Sequence, residues 1–185
     1  MSKVILIAGT WGLSSDFWWR PGSELWQLLK HHGCEMAAAD DPYIWSTALD
    51  GLRGENETWI CAAAALRWFC GAKGIERPNI VAHSHGGQVA LLASEKMQIG
   101  TLITVATPVR DDVLAHSKPA NINRWIHIHT NGGDRMQIAG ELGDSKLEPK
   151  REMPGAGNIY EPNNTHSGLL EVKLWQERDW GRYCT

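Results

Sequence analysis

The chain has 185 residues, 43% of them hydrophobic and 21% charged, with a formal net charge of −3 and a pI of about 6.2. That length fits one domain, 1–185, with a single core that needs no staples. The mildly acidic balance leaves no basic footprint for nucleic acid or for an anionic membrane surface. Cys34, Cys61, Cys70 and Cys184 form no C-x-x-C pair. That argues against zinc-site spacing and against a disulfide framework, and it fits buried or terminal thiols in a reducing cytoplasm.

The opening run "KVILIAG" (3–9) is continuous and β-branched, as in a strand covered on both faces. It is too short for a signal sequence, and no apolar run reaches membrane-span length, so no integral membrane association is expected. "GSELWQLLKHHG" (22–33) is an amphipathic helix with Ser23 as N-cap. "CEMAAADDP" (34–42) reads as a second strand. "ENETWICAAAALRWFCGAKG" (55–74) is alanine-rich and closed by glycine, which predicts a buried helix. "NIVAHS" (79–84), "GTLITVATPV" (100–109) and "RWIHIHTNGGD" (124–134) are strand-like, and "GNIYEP" (157–162) more weakly so. "GGQVALLASEKM" (86–97) and "SGLLEVKLWQERDW" (167–180) have helical spacing. Strands alternating with helices predict an α/β protein with a single, mostly parallel sheet flanked by helices on both faces.

One turn carries chemistry. Ala82-His83-Ser84-His85-Gly86 joins a strand to a helix with small residues two before and two after the serine, as a sharp strand-turn-helix elbow requires. Such a turn exposes the serine Oγ and brings the amide of His85, at a helix N-terminus, toward the same space, where a developing oxyanion is favoured. Serine needs a base and an orienting acid. His83 and His85 are tied to the turn and read as support. His31 and His32 suit a helix C-terminus. His127 and His129 fill one face of a strand, a metal pair being the lesser alternative. His116 falls in a polar connection. His166, in the turn-rich "EPNNTHSGLL" (161–170), is placed late in the chain on a loop that can reach the serine. Asp134 ends "IHIHTNGGD" and precedes His166, giving the order Ser, Asp, His expected of this architecture. Asp111, Asp112 and Asp144 are its rivals, and a turn residue bonding its own backbone is the plainer reading. A second oxyanion donor is expected from the first loop, "AGTWGLSSDFWWRPGS" (8–23), where Gly9 and Gly12 permit close backbone approach. Trp11 is favoured slightly over Thr10.

The segments "LIAGTWG", "VAHSHGGQVAL", "ATPV", "NGGD" and "THSGLL", in that order, resemble the α/β-hydrolase superfamily. The length and the alanine at the first motif position resemble the minimal, lidless bacterial lipases and esterases. The resemblance implies a catalytic triad of Ser84, Asp134 and His166, an oxyanion hole from the Trp11 and His85 amides, and no cofactor or metal. It also implies hydrolysis of an ester, thioester or amide. The short connection between "TPV" and "RWIHIH" leaves no room for a cap domain, so an open site is expected.

Trp11, Trp18 and Trp19 cluster with Thr10 in the loop beside the expected oxyanion hole, where Thr10, Trp18 and Trp19 are the candidate substrate-binding residues; the tryptophans form either the wall of an acyl groove or a cover for the sheet edge. Trp26, Trp59, Trp68, Trp125 and Trp175 are expected in the core. The leading reading is a serine hydrolase of carboxylic esters, small-molecule or lipid, working through an acyl-enzyme. Thioesterase, amidase and acyltransferase activity stand as alternatives, as does a non-catalytic binding scaffold on the same fold.

Overall fold

The computed structural model describes residues 3–9, 18–38, 41–45, 56–130 and 152–185, with Asn56 and Glu57 described by backbone alone. Six strands among them form one parallel sheet: β1 (Lys3–Ile7), β2 (Glu35–Met36), β3 (Asn79–His83), β4 (Ile99–Val105), β5 (Ile122–His129) and β6 (Gly157–Tyr160). Their order is β2-β1-β3-β4-β5-β6. In register, Ile7 faces Ala82, His83 faces Val105, and His129 faces Tyr160. The α-helices among the described residues are α1 (Glu24–His31), α2 (Asn56–Ala72), α3 (His85–Ala93), α4 (Asp111–His116) and α5 (Val172–Glu177).

Successive strand residues point to opposite faces, so each β-branched run feeds two cores. Ile5, Ile7, Ile80, Ala82 and Leu102 pack with Trp59 and Leu66 of α2 and Val89 of α3. Val4, Leu6, Val81, Ile103 and Ile128 pack with Leu25 and Leu29 of α1, Trp175 of α5 and Trp180. Between β4 and β5 the chain makes only α4 and a 3-10 turn, Pro119–Asn121, where the sequence predicted a short connection.

The chain steps from β1 outward to β2, then returns to lay β3 on the other side of β1. At such a reversal the exits of neighbouring strands diverge, leaving a crevice at their C-terminal ends. β1 and β3 flank that crevice.

Three expectations change. The alanine-rich helix α2 is not buried throughout: Trp59, Ala62, Ala63, Leu66, Phe69 and Cys70 form one buried face, while Ile60, Cys61 and Trp68 are exposed. Trp68, expected in the core, is 74% exposed. It lies on the helix face away from the sheet, which the even spread of alanines around the helix concealed. The wholly buried helix is α3, whose nine residues are all buried.

The last segment, expected as one helix, is divided into a 3-10 turn (Gly168–Leu170), α5, and a second 3-10 turn (Trp180–Cys184). Glu171 is extended (φ −61°, ψ 126°), and Asp179 is left-handed at φ 51°. The reason is packing. Leu170 and Trp175 enter the same core layer, yet in one continuous helix they would point about 140° apart. The second strand is also shorter than "CEMAAADDP" suggested, only Glu35–Met36.

Candidate active site

β3 ends at His83 and α3 begins at His85, so Ser84 alone makes the turn. Its backbone is held at φ 52°, ψ −131°, a region that residues with a Cβ avoid and that persists only where surrounding contacts impose it. Those contacts are visible. The Ser84 N–H donates to the Val105 carbonyl at 2.8 Å, so β4 holds the turn, and Gly87 N–H donates back to the Ser84 carbonyl at 3.0 Å. A Cβ on Gly9 would sit 2.7 Å from the Ser84 Cβ. A Cβ on Gly86 would collide with the Ala8 carbonyl oxygen and lie 2.7 Å from that of Ile7. The exit of β1 thus crosses directly over the turn. At Gly86 the nearest atoms that demand a small residue belong to the exit of β1. Thr107, in the loop after β4, closes against Gly87 in the same way, its Cβ 2.8 Å from where a glycine-replacing Cβ would stand.

Ser23 provides the contrast. It precedes α1 in extended backbone (φ −62°, ψ 161°), and its Oγ accepts the Trp26 N–H at 3.2 Å, as an N-cap serine should. Ser84 precedes α3 but makes no capping bond. It is half-buried between two buried histidines, at the mouth of the crevice.

His85 and Gly86 open α3, where amides have no carbonyl partner within the helix. The His85 ring lies 5.0 Å from that of Trp59. Burial, then the Arg110 guanidinium, then His166 pull its pKa down from 6.5 to about 4, so the imidazole is neutral near pH 7. Arg110 is buried, with its Cζ 5.1 Å over the Trp59 ring. It donates through Nε (3.0 Å) and Nη2 (2.6 Å) to the two carboxylate oxygens of Asp112. Asp112 Oδ1 also accepts the Val113 N–H at 2.9 Å. Both oxygens of this rival acid are therefore engaged at the start of α4. The residues after "TPV" gave no sign of this Arg110–Trp59–His85 stack.

His166 stands on the loop after β6, half-buried. That loop is a built turn. Asn164 Oδ1 accepts the Thr165 N–H (2.9 Å), Thr165 Oγ1 accepts the Gly168 N–H (3.0 Å), and Thr130 Oγ1 donates to the Asn164 carbonyl (3.3 Å). At its base Arg178 makes a two-pronged pair with the buried Glu161, at 2.9 and 2.8 Å. Across the crevice, His83 Nε2 donates to the His166 carbonyl at 3.1 Å, and the two rings stand 4.5 Å apart. A carbonyl can only accept, so His83 carries its proton on Nε2. Trp18, half-buried, meets the His83 ring edge-on at 6.1 Å.

The structure therefore brings Ser84, His83, His85, His166 and Trp18 to one end of the sheet. Trp19 is 3% exposed and packs in the core layer of α1, the covering role of the two considered for it. Thr10, Trp11, Asp134 and Asp144 lie outside the described residues. His127 and His129 stack at 5.5 Å on the sheet face, where Thr104 Oγ1 meets His127 Nδ1 at 2.9 Å. Among the described residues no group of three or more His, Cys, Asp or Glu side chains is placed to hold a metal. No helix among them is long and apolar enough to cross a membrane.

No protein-family model matches the chain, and no curated protein matches it. Solved structures do. A predicted CIB-like hydrolase from Thermoplasma acidophilum superposes with a TM-score of 0.60 at 12% identity, covering 98% of this chain and 86% of its own. An α/β hydrolase enzyme from a sediment metagenome of the Mar Chica lagoon, Morocco, gives 0.56 at 13% identity, covering 96% and 92%. A lidless α/β serine hydrolase from Xanthomonas campestris gives 0.50 at 12% identity, covering 98% and 82%. The chain has the α/β-hydrolase fold.

Proposed function

We propose that the chain is a serine hydrolase of carboxylic esters, lipid esters included, built as a single domain and acting in the cytoplasm. The observation that carries this reading is Ser84. It occupies a disfavoured backbone conformation at the fold's switch point, with a hydroxyl that does not cap the helix behind it. A serine kept only for the turn would relax toward the geometry of Ser23 or give way to glycine.

In this reading Ser84 Oγ attacks the ester carbonyl as His166 takes its proton. Asp134 orients the imidazole and offsets its charge. The oxyanion is held by the His85 amide at the head of α3 and by the Trp11 amide, since the loop that carries Thr10 and Trp11 leaves from Gly9, packed against Ser84. The alcohol leaves with the proton returned by His166, and water then attacks the acyl-enzyme by the same base. Thr10 and Trp18 flank the acyl group, Trp18 as the wall, while Trp19 covers the core layer of α1. His85 contributes its backbone, because its buried ring is a poor base.

A fluorophosphonate probe tests the reading. It should label the wild-type protein at Ser84 and leave Ser84→Ala unlabelled. That variant should also lose on the order of 10⁶-fold in turnover of a short p-nitrophenyl ester. An unlabelled wild-type protein would instead identify a binding scaffold. Acyl ester, thioester and amide panels separate the chemistries that share these groups.

A further inference from the structure

We propose that Trp45 is a positioning residue for the oxyanion hole: its indole N–H fixes the Ala8–Gly9 peptide at the exit of β1, from which the loop carrying Thr10 and Trp11 departs. The assignment rests on the serine-hydrolase reading of Ser84 and adds to it a residue that acts through the backbone rather than on substrate. Trp45 Nε1 donates to the Ala8 carbonyl at 2.7 Å, across 37 positions of sequence.

Residues 41–45, "DPYIW", follow β2 and belong to no helix or strand. Tyr43 and Trp45 are buried while Ile44 between them is exposed, the alternation of an extended segment. That segment is fastened to α2. Tyr43 Oη donates to the Ala62 carbonyl at 2.7 Å, and its ring meets Phe69 edge-on at 5.7 Å. Asp41 pairs at 2.9 Å with Lys73, just past the end of α2. Trp45 thereby enters the core layer that it shares with Ile7, Trp59 and Ala62. A buried indole N–H needs an acceptor, and this one takes the Ala8 carbonyl.

The choice of carbonyl is what matters for the site. Ala8 is the first residue past β1. Pairing of β1 with β3 ends at Ile7, and β2 pairs only with Lys3 and Val4. Trp45 supplies from a side chain the bond that a longer strand would have made. The Ala8 oxygen also lies against Gly86 at the head of α3, where an added Cβ would collide with it. Held by the indole and by Gly86, that oxygen fixes the plane of the peptide that continues into Gly9, because a peptide unit is rigid. Gly9 is then set against the serine turn, with a Cβ there 2.7 Å from the Ser84 Cβ and 3.2 Å from the His83 carbonyl oxygen. Rotation of the plane would leave the indole N–H buried without its acceptor. The loop therefore leaves Gly9 in one direction relative to Ser84. Oxyanion donors are effective only when aimed before the reaction begins.

The test compares Trp45→Phe with Trp125→Phe in the full chain. Trp125 lies in the same core layer and donates its indole N–H to Thr104 Oγ1 at 3.2 Å. Both variants lose one buried indole N–H and the same volume, but only the first touches the exit of β1. Tm should fall in both by on the order of 5 °C. Trp125→Phe should keep the wild-type kcat on a short p-nitrophenyl ester and the wild-type rate of fluorophosphonate labelling. Trp45→Phe should lose about 10- to 100-fold in both, with KM little changed. Replacing Trp45 with benzothienylalanine, which keeps the bicyclic shape and exchanges only the N–H for sulfur, should give the same loss and serves where phenylalanine leaves the chain unfolded. Wild-type rates in the Trp45 variants, or equal slowing in Trp125→Phe, would overturn the assignment and leave the hydrolase reading standing. A wild-type protein that the probe does not label would remove both.

Discussion

Replacing Ser84 by alanine and by glycine separates chemistry from conformation. Both variants lack the hydroxyl, and neither loses a helix cap, because Ser84 makes no capping bond. They differ only in the Cβ. At φ 52°, ψ −131° a Cβ costs about 1–3 kcal/mol, while glycine's greater freedom in the unfolded chain costs about 0.5–1 kcal/mol. Glycine should therefore be the more stable of the two by about 1 kcal/mol, or roughly 2–4 °C in Tm for a chain of this size. At an ordinary strand or helix position the sign reverses, with glycine about 0.5–1 kcal/mol less stable than alanine. Urea denaturation of both variants, with equal m-values required, reads the difference directly. A glycine variant less stable than the alanine variant would refute the claim that the fold strains this residue, and with it the main support for Ser84 as nucleophile.

Gly86→Ala places a Cβ against two backbone carbonyls of the β1 exit, which cannot move aside as side-chain ends do. A stability loss of about 1–3 kcal/mol is expected in urea melts, and an unchanged midpoint would mean that β1 does not cross the turn as described. His85 titrates near 6.5 when unfolded and near 4 when folded, so between those values the unfolded chain binds a proton the folded one excludes. Its contribution is complete above about pH 6.5 and is lost as pH falls toward 4, about 3 kcal/mol in all. His85→Gln should flatten that part of the pH–stability curve, and parallel curves for the two proteins would contradict it. His83→Phe keeps a ring beside His166 but removes the N–H that holds its carbonyl. Ester turnover should fall about 10- to 100-fold in kcat with KM little changed, and His83→Gln should restore much of it; equal losses in both variants would assign His83 to packing alone. Asp134→Asn should abolish turnover while Asp112→Asn reduces stability first, because Asp112 is committed to Arg110.

The elements whose own pattern suffices were legible in the sequence. β1, β3 and β4 are short runs rich in apolar and β-branched residues, and Ser23 announces α1 by its capping chemistry. The Ser84 turn declared itself through its small neighbours. Features that need two distant segments were not legible. Local spacing could not say that the alanine-rich helix would expose Trp68 while α3 became the buried one, because layer position belongs to the whole sheet. Nor could it show that the last helix would break to bring Leu170 and Trp175 into one core layer.

The sequence by itself determined the parallel α/β architecture and the placing of a serine at a strand-to-helix turn, since both follow from periodicity and the residues a turn tolerates. Only the tertiary structure decided that β1 crosses above that serine, that His83 grips the loop of His166, and that Arg110 and Trp59 close around His85. Each is a contact between residues remote in the chain, and its geometry exists only once the strands have taken their order in the sheet.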